Sequence, residues 1–184
     1  MIKGISGTMQ NRLTRKLVLS GLFAALICVV TWSIRIPVPL AWNGAYINAG
    51  DSIIYVAGVI LGGPWAALSA GIGSAIADLL CGAASYAPGT LVIKALMGLV
   101  VGFAAHQKPH WSRYLVFMVL SSLVMVVGYT LYEFFVFAGM NVAVVSASIL
   151  PNLLQAGGGV LIGLPLAIIV RRVVPESWQE TLAR

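Results

Sequence analysis

Six charged or amide side chains interrupt the apolar segments of the chain: Asp51, Asp78, Lys94, Glu133, Asn152 and Gln155. Such residue types support three kinds of chemistry. Two carboxylates a few ångströms apart share a proton and activate water. A carboxylate and an ammonium, such as Asp78 with Lys94, form an ion pair that holds helices in register. Carboxylates and amides set between aromatic faces bind a small, flat, polar heteroaromatic molecule. Trp42, Tyr46, Tyr86, Tyr129 and Tyr132 supply such faces near the polar residues. The stretch "YINAGDSIIYVAG" places Asn48 and Asp51 together at the mouth of an apolar run, at the rim of any pocket built there.

The elements that position these groups are membrane spans. Hydrophobic residues make up 60% of the 184-residue chain and charged residues only 9%, against roughly 25% charged in a typical soluble domain. Mean hydropathy is +0.98. Six apolar segments, at about 17–34, 50–62, 64–82, 88–105, 114–137 and 145–170, predict an all-α integral membrane protein, a compact bundle of six transmembrane helices. Glycine and alanine crowd "GGPWAALSAGIGSAIAD", and small residues at this spacing let helix backbones approach closely. The reading divides the chain into a leader over 1–16, with its first ten residues mobile, a membrane domain over 17–172, and a tail over 173–184.

Charge sets the expected orientation. Lys3, Arg12, Arg15, Lys16, Lys108, Arg113, Arg171, Arg172 and Arg184 all fall on one side of a six-span chain. By the positive-inside rule that side, with both termini, is cytoplasmic. The formal charge of +6 is therefore a topology signal and does not point to nucleic acid. Asp51, Asp78, Lys94, Glu133, Asn152 and Gln155 then share a polar layer in the outer half of the bundle. The inner halves carry almost none. Intramembrane charges cost a few kcal/mol each and so pair or line a cavity. The 35–48 connection, stiffened by Pro37 and Pro39 and carrying Trp42 and Tyr46, reads as a lid or binding loop, or as an interfacial anchor with Trp42 and Tyr46 at the headgroups.

Several functions fit poorly. An intramembrane aspartyl protease would use Asp51 and Asp78, but Asn48 stands where the first glycine of a GxGD motif belongs. His106 and His110 lie in the basic loop, away from the polar layer, and Pro109 interrupts the helix that would align them. "GGPWAALSAGIGSA" lacks the lysine and the strand-to-helix context of a phosphate-binding loop. Cys28 and Cys81 have no partner spacing and read as small buried hydrophobes. No metal site is expected. A solitary facilitator would need polar residues through the full depth of the membrane.

The stretches "YINAGDSIIYVAGVILGGPWAALSAGIGSAIADLL", "YAPGTLVIKALMGLVVG", "GYTLYEFF" and "PNLLQAGGGVLIGLPL" resemble the substrate-binding S component of energy-coupling factor (ECF) vitamin transporters. The resemblance runs from about Leu17 to Arg172 and is nearest the branch for pyridoxine-like and hydroxymethylpyrimidine compounds. It implies a bacterial cell-membrane protein that binds a vitamin at the outer face under the first loop and is not an enzyme. The partners implied are a transmembrane coupling subunit and two ATPases, which use ATP and Mg; this chain itself would hold no cofactor. It would topple in the membrane to release substrate. By this resemblance the substrate-binding residues are Trp42, Tyr46, Asn48, Asp51, Asp78, Tyr86, Lys94, Tyr132, Glu133, Asn152 and Gln155. The docking face of the first helix maps to "SGLFAA", where Ser20 with Ala24 and Gly21 with Ala25 replace the family's two-alanine form.

Overall fold

A computed structural model of the chain describes residues 2–37, 46–103, 110–137, 139 and 141–175. Six helices follow in order: α1 Ile2–Ser33, α2 Gly50–Leu61, α3 Gly63–Leu80, α4 Ala87–Gly102, α5 Trp111–Val136 and α6 Val142–Val173. Two short strands, β1 Arg35–Pro37 and β2 Tyr46–Asn48, stand between α1 and α2. The six segments read from the sequence are thus all helical, with one large shift of boundary. α1 runs back to Ile2, through the stretch expected to be a mobile leader. That stretch contains no proline, and its isolated glycines lower helix propensity by only about 1 kcal/mol each.

The 35–48 connection is also more regular than a lid loop. Its two ends pair as an antiparallel hairpin with Ile36 opposite Ile47, Arg35 opposite Asn48 and Pro37 opposite Tyr46. The Ala49 N–H donating to the Ile34 carbonyl at 3.2 Å closes the hairpin onto the end of α1. Trp42 lies outside the described residues.

The 12-residue α2 is about 18 Å long at 1.5 Å per residue, too short to cross a hydrocarbon core of about 30 Å. It needs no lipid contact, because ten of its twelve residues are buried and α1, α3, α4 and α6 all pack on it. An apolar helix without a polar face belongs inside a bundle. Gly62, at φ 79°, makes the tight turn from α2 into α3, a conformation glycine adopts without strain. Further along, a Cβ on Gly98 of α4 would meet the Ala66 carbonyl oxygen of α3 at 2.5 Å. The α3 and α4 backbones therefore touch, as the small-residue run predicts.

The outer surface of the bundle is apolar: Leu22, Val116, Leu161 and Ile169 are all more than half exposed. By length and composition Arg12–Ser33, Trp111–Val136 and Val145–Val173 suffice to cross a membrane. Inside, the half of the bundle away from the hairpin is not wholly apolar. It holds buried hydroxyls, two of which are tied locally. Ser69 Oγ donates to the Ser20 carbonyl at 2.9 Å, and Ser121 Oγ to the Met97 carbonyl at 3.2 Å. Among the described residues no charged residue is itself buried there, although Arg171 lies over the ring of buried Tyr114 at 5.6 Å.

Candidate functional site

At the hairpin end of the bundle, a cavity of about 50 Å³ opens between β2 and four helices. β2 contributes Tyr46 and Asn48. The end of α3 brings Asp78, the turn before α4 and its first turns bring Tyr86 and Thr90, α5 brings Tyr129 and Glu133, and α6 brings Asn152 and Gln155. These positions follow from helix geometry: Thr90 stands one turn before Lys94, and Tyr129 one turn before Glu133, so each shares a face with its charged neighbour. Thr90 was not among the predicted site residues and Tyr129 was named only as an aromatic face near them, although this i, i+4 relation to Lys94 and Glu133 marks both.

The walls are held by tyrosines. Tyr46 Oη donates a short hydrogen bond to Asp78 Oδ1. In the hairpin, burial foremost and then the Asp78 charge push the Tyr46 hydroxyl far above its ordinary pKa, so it keeps its proton as the donor. Tyr86 Oη donates to Glu133 Oε1 at 3.1 Å, and the Thr90 and Tyr129 hydroxyls bond each other at 2.9 Å. Tyr86 meets Tyr129 edge-on at 6.3 Å and Phe137 at 4.9 Å. Edge-to-face packing of this kind fixes the rings beyond what their buried area alone would do.

Below the cavity is a sealed floor. Lys94 Nζ pairs with Asp51 Oδ1, and both side chains are almost fully buried. The sequence pointed to Asp78 as an example partner of Lys94, and the structure corrects this. Asp51 opens α2, whose first turn abuts the middle of α4, whereas Asp78 is engaged by the hairpin through Tyr46. Asp51 also sits in the first turn of α2, where the helix dipole favours an anion.

Gln155 joins floor to lid. Its Nε2 donates to Asp51 Oδ2 at 2.8 Å and its Oε1 accepts from the Asn48 backbone N–H at 3.1 Å. Asn48 Oδ1 in turn accepts from the Gly50 N–H at 2.9 Å, a local turn that starts α2. Met125 Sδ receives Lys94 Nζ and Gln155 Nε2, both at 3.3 Å.

Seven of the eleven predicted substrate residues therefore line the cavity: Tyr46, Asn48, Asp78, Tyr86, Glu133, Asn152 and Gln155. Asp51 and Lys94 lie beneath it as the floor pair. Tyr132 stands outside it, donating to the Ser85 carbonyl at 2.7 Å and tilting against the Tyr86 ring at 6.2 Å. Trp42 is outside the described residues. Asp51 and Asp78 have separate partners and form no acid dyad. On α1, Ser20 is buried and its carbonyl accepts from Ser69, while Ala24 is half-buried with Gly73 of α3 against its backbone. Gly21 and Ala25 instead point outward, exposed.

Over residues 11–172 the chain matches the family described as "ECF-type riboflavin transporter, S component". The chain belongs to this family. S components are substrate-binding subunits of vitamin uptake that work with an ECF module and carry out no catalysis, and this multi-pass membrane protein is one of them. A relative from Pyrococcus woesei, described as an uncharacterized protein in gap 3'region, is 34% identical over 146 residues, covering 79% of this chain and 95% of its own. Two solved S components share the fold. FolT bound with folic acid superposes with a TM-score of 0.69 at 18% identity, over 88% of this chain and 95% of FolT. The S component for biotin from an ECF-type ABC transporter gives 0.66 at 20% identity, over 89% and 92%.

Proposed function

We propose that this S component is the high-affinity binding subunit for a small water-soluble vitamin or precursor of pyridoxine or hydroxymethylpyrimidine size, held in the cavity beneath the hairpin. The observation that carries the reading is the cavity itself, walled by tyrosines, floored by a buried ion pair and placed at one end of the bundle only. The cavity is small, about 50 Å³, well below the roughly 300–1,000 Å³ typical of ligand pockets. A single-ring substrate therefore displaces its walls less than the larger vitamins named for the family and its solved relatives.

In this reading the hairpin end faces outward and the end bearing Arg113, Arg171 and Arg172 faces the cytoplasm, in a bacterial cell membrane. Among the described residues no charged side chain is buried in the other half of the bundle, which supports release by toppling on a partner module and disfavours a solitary pore. The transmembrane coupling subunit and two ATPases of the module supply ATP and Mg chemistry. Gly21 and Ala25, the exposed pair on α1, are the better docking candidates, because Ser20 and Ala24 are used against α3.

Two measurements test this. Thermal shift of the purified chain in detergent against B-type vitamins and their precursors should show stabilisation by one small heteroaromatic, lost in Glu133→Ala or Asn152→Ala; no shift from any of them overturns the binding role. Uptake in cells should depend on co-expressed ATPase subunits, and full-rate uptake without them overturns the partnership.

A further inference from the structure

The hydrogen-bonding capacity left over in the cavity is lopsided. A tyrosine hydroxyl has one proton to give, and Tyr46 and Tyr86 have given theirs to Asp78 Oδ1 and Glu133 Oε1. Thr90 and Tyr129 satisfy each other. The Gln155 amide is engaged at both ends, by Asp51 and by Asn48. Among the described residues, Asp78 Oδ2, Glu133 Oε2 and Asn152 Nδ2 are buried and without a hydrogen-bond partner, three atoms of residues that line one cavity.

Neighbouring hydroxyls, Thr90 beside Asp78 and Ser148 beside Glu133, are neutral and do not balance the acids. Lys94 acts on Asp78 through space, but it is held in its ion pair by Asp51. Arg35, exposed at the rim, donates to the Cys81 carbonyl at 3.4 Å. Two acidic side chains therefore present one open acceptor oxygen each, with no cation bonded to either among the described residues. Buried polar atoms in native proteins are almost always satisfied. A ligand therefore completes this site by giving a donor to each acid oxygen and an acceptor to Asn152 Nδ2, and an anion would meet two carboxylates for that one amide.

We infer that the substrate is a small nitrogen heterocycle carrying no anionic group, neutral or cationic, which turns hydrogen-bond donors toward Asp78 Oδ2 and Glu133 Oε2. This deepens the proposed function and rests on it. Vitamins bearing a carboxylate are rejected by the same two oxygens, through like-charge repulsion and loss of their hydration.

The test is calorimetric titration of the purified full-length chain in detergent with matched probes. Pyridoxamine is set against 4-pyridoxate, and 4-amino-5-hydroxymethyl-2-methylpyrimidine against nicotinate, with riboflavin and biotin added as larger vitamins. In each pair the amine is expected to bind at least tenfold tighter than the carboxylate. Asp78→Asn and Glu133→Gln are expected to weaken the amine at least tenfold and to shrink that ratio. Equal or tighter carboxylate binding overturns the inference, as does a ratio unchanged in both folded variants. Binding of riboflavin or biotin alone leaves the binding role standing and overturns the inference; binding of no probe overturns both. If neither variant folds, the wild-type ratio decides.

Discussion

Asp51 and Asp78 are the same residue type, buried in the same half of the same bundle, yet their surroundings differ in kind. Both Asp51 oxygens are used, one by Lys94 and one by Gln155. Asp78 has one oxygen held by Tyr46 and the other buried without a hydrogen-bond partner among the described residues. Glu133 repeats the Asp78 pattern, with Tyr86 on one oxygen. Burial alone therefore does not reveal what a membrane carboxylate does. The difference lies in how many of its oxygens the protein itself satisfies: a fully bonded acid holds structure, and a half-bonded one is ready to bind something else.

The largest expected effect comes from breaking the floor. Asp51→Asn leaves Lys94 charged and buried without a counter-ion, and Lys94→Met does the same to Asp51. Removing one partner of a buried pair typically costs about 3–5 kcal/mol. Each single variant should lower the unfolding midpoint in detergent steeply, while Asp51→Asn combined with Lys94→Met should recover most of the loss. A double variant as unstable as the sum of the singles would show that the two residues act independently, and the contrast with Asp78 would fail.

Much of this layer was legible in the sequence, because each charge in an apolar run must be paired or line a cavity. Its wiring was not. Whether Lys94 meets Asp51 or Asp78 depends on how far α2 is offset and rotated relative to α4, and spacing within one helix carries no such information. The hairpin was hidden for a different reason. Pro37 and Pro39 read as loop residues, and pairing of Ile36 with Ile47 becomes visible only once both ends of the connection are fixed by α1 and α2. Thr90 and Tyr129, by contrast, were within reach, because the i, i+4 rule places them beside Lys94 and Glu133.

The next effect in size concerns the link between the two regions. Gln155→Leu keeps the volume but strands Asp51 Oδ2 and the Asn48 N–H. An unsatisfied buried group costs about 1–3 kcal/mol. The loss should appear in two places, as a lower melting temperature and as faster amide hydrogen exchange at Ile47, Asn48 and Gly50. Loss of stability without faster exchange in the hairpin would mean that Gln155 serves the floor only.

Smaller again is Tyr132→Phe. This removes the bond to the Ser85 carbonyl and keeps the ring against Tyr86 and Phe137. A neutral hydrogen bond contributes about 0.5–1.5 kcal/mol net, so melting should shift by that order with ligand affinity unchanged. An affinity loss above tenfold would return Tyr132 to the cavity wall.

The smallest stability effect is expected where the sharpest sequence reader would look for a large one. Asp78→Asn makes the same chemical change as Asp51→Asn, but its remaining carbonyl still accepts from Tyr46, and the lost oxygen had no partner to strand. The ligand-free protein should therefore lose less than the roughly 0.5–1.5 kcal/mol that one neutral hydrogen bond contributes. Measured side by side, the two Asp→Asn variants isolate the one variable that separates them, the second oxygen. If Asp78→Asn unfolds the protein as readily as Asp51→Asn does, then Asp78 is a second structural anchor, held by groups beyond Tyr46, and the open oxygen is not a binding group.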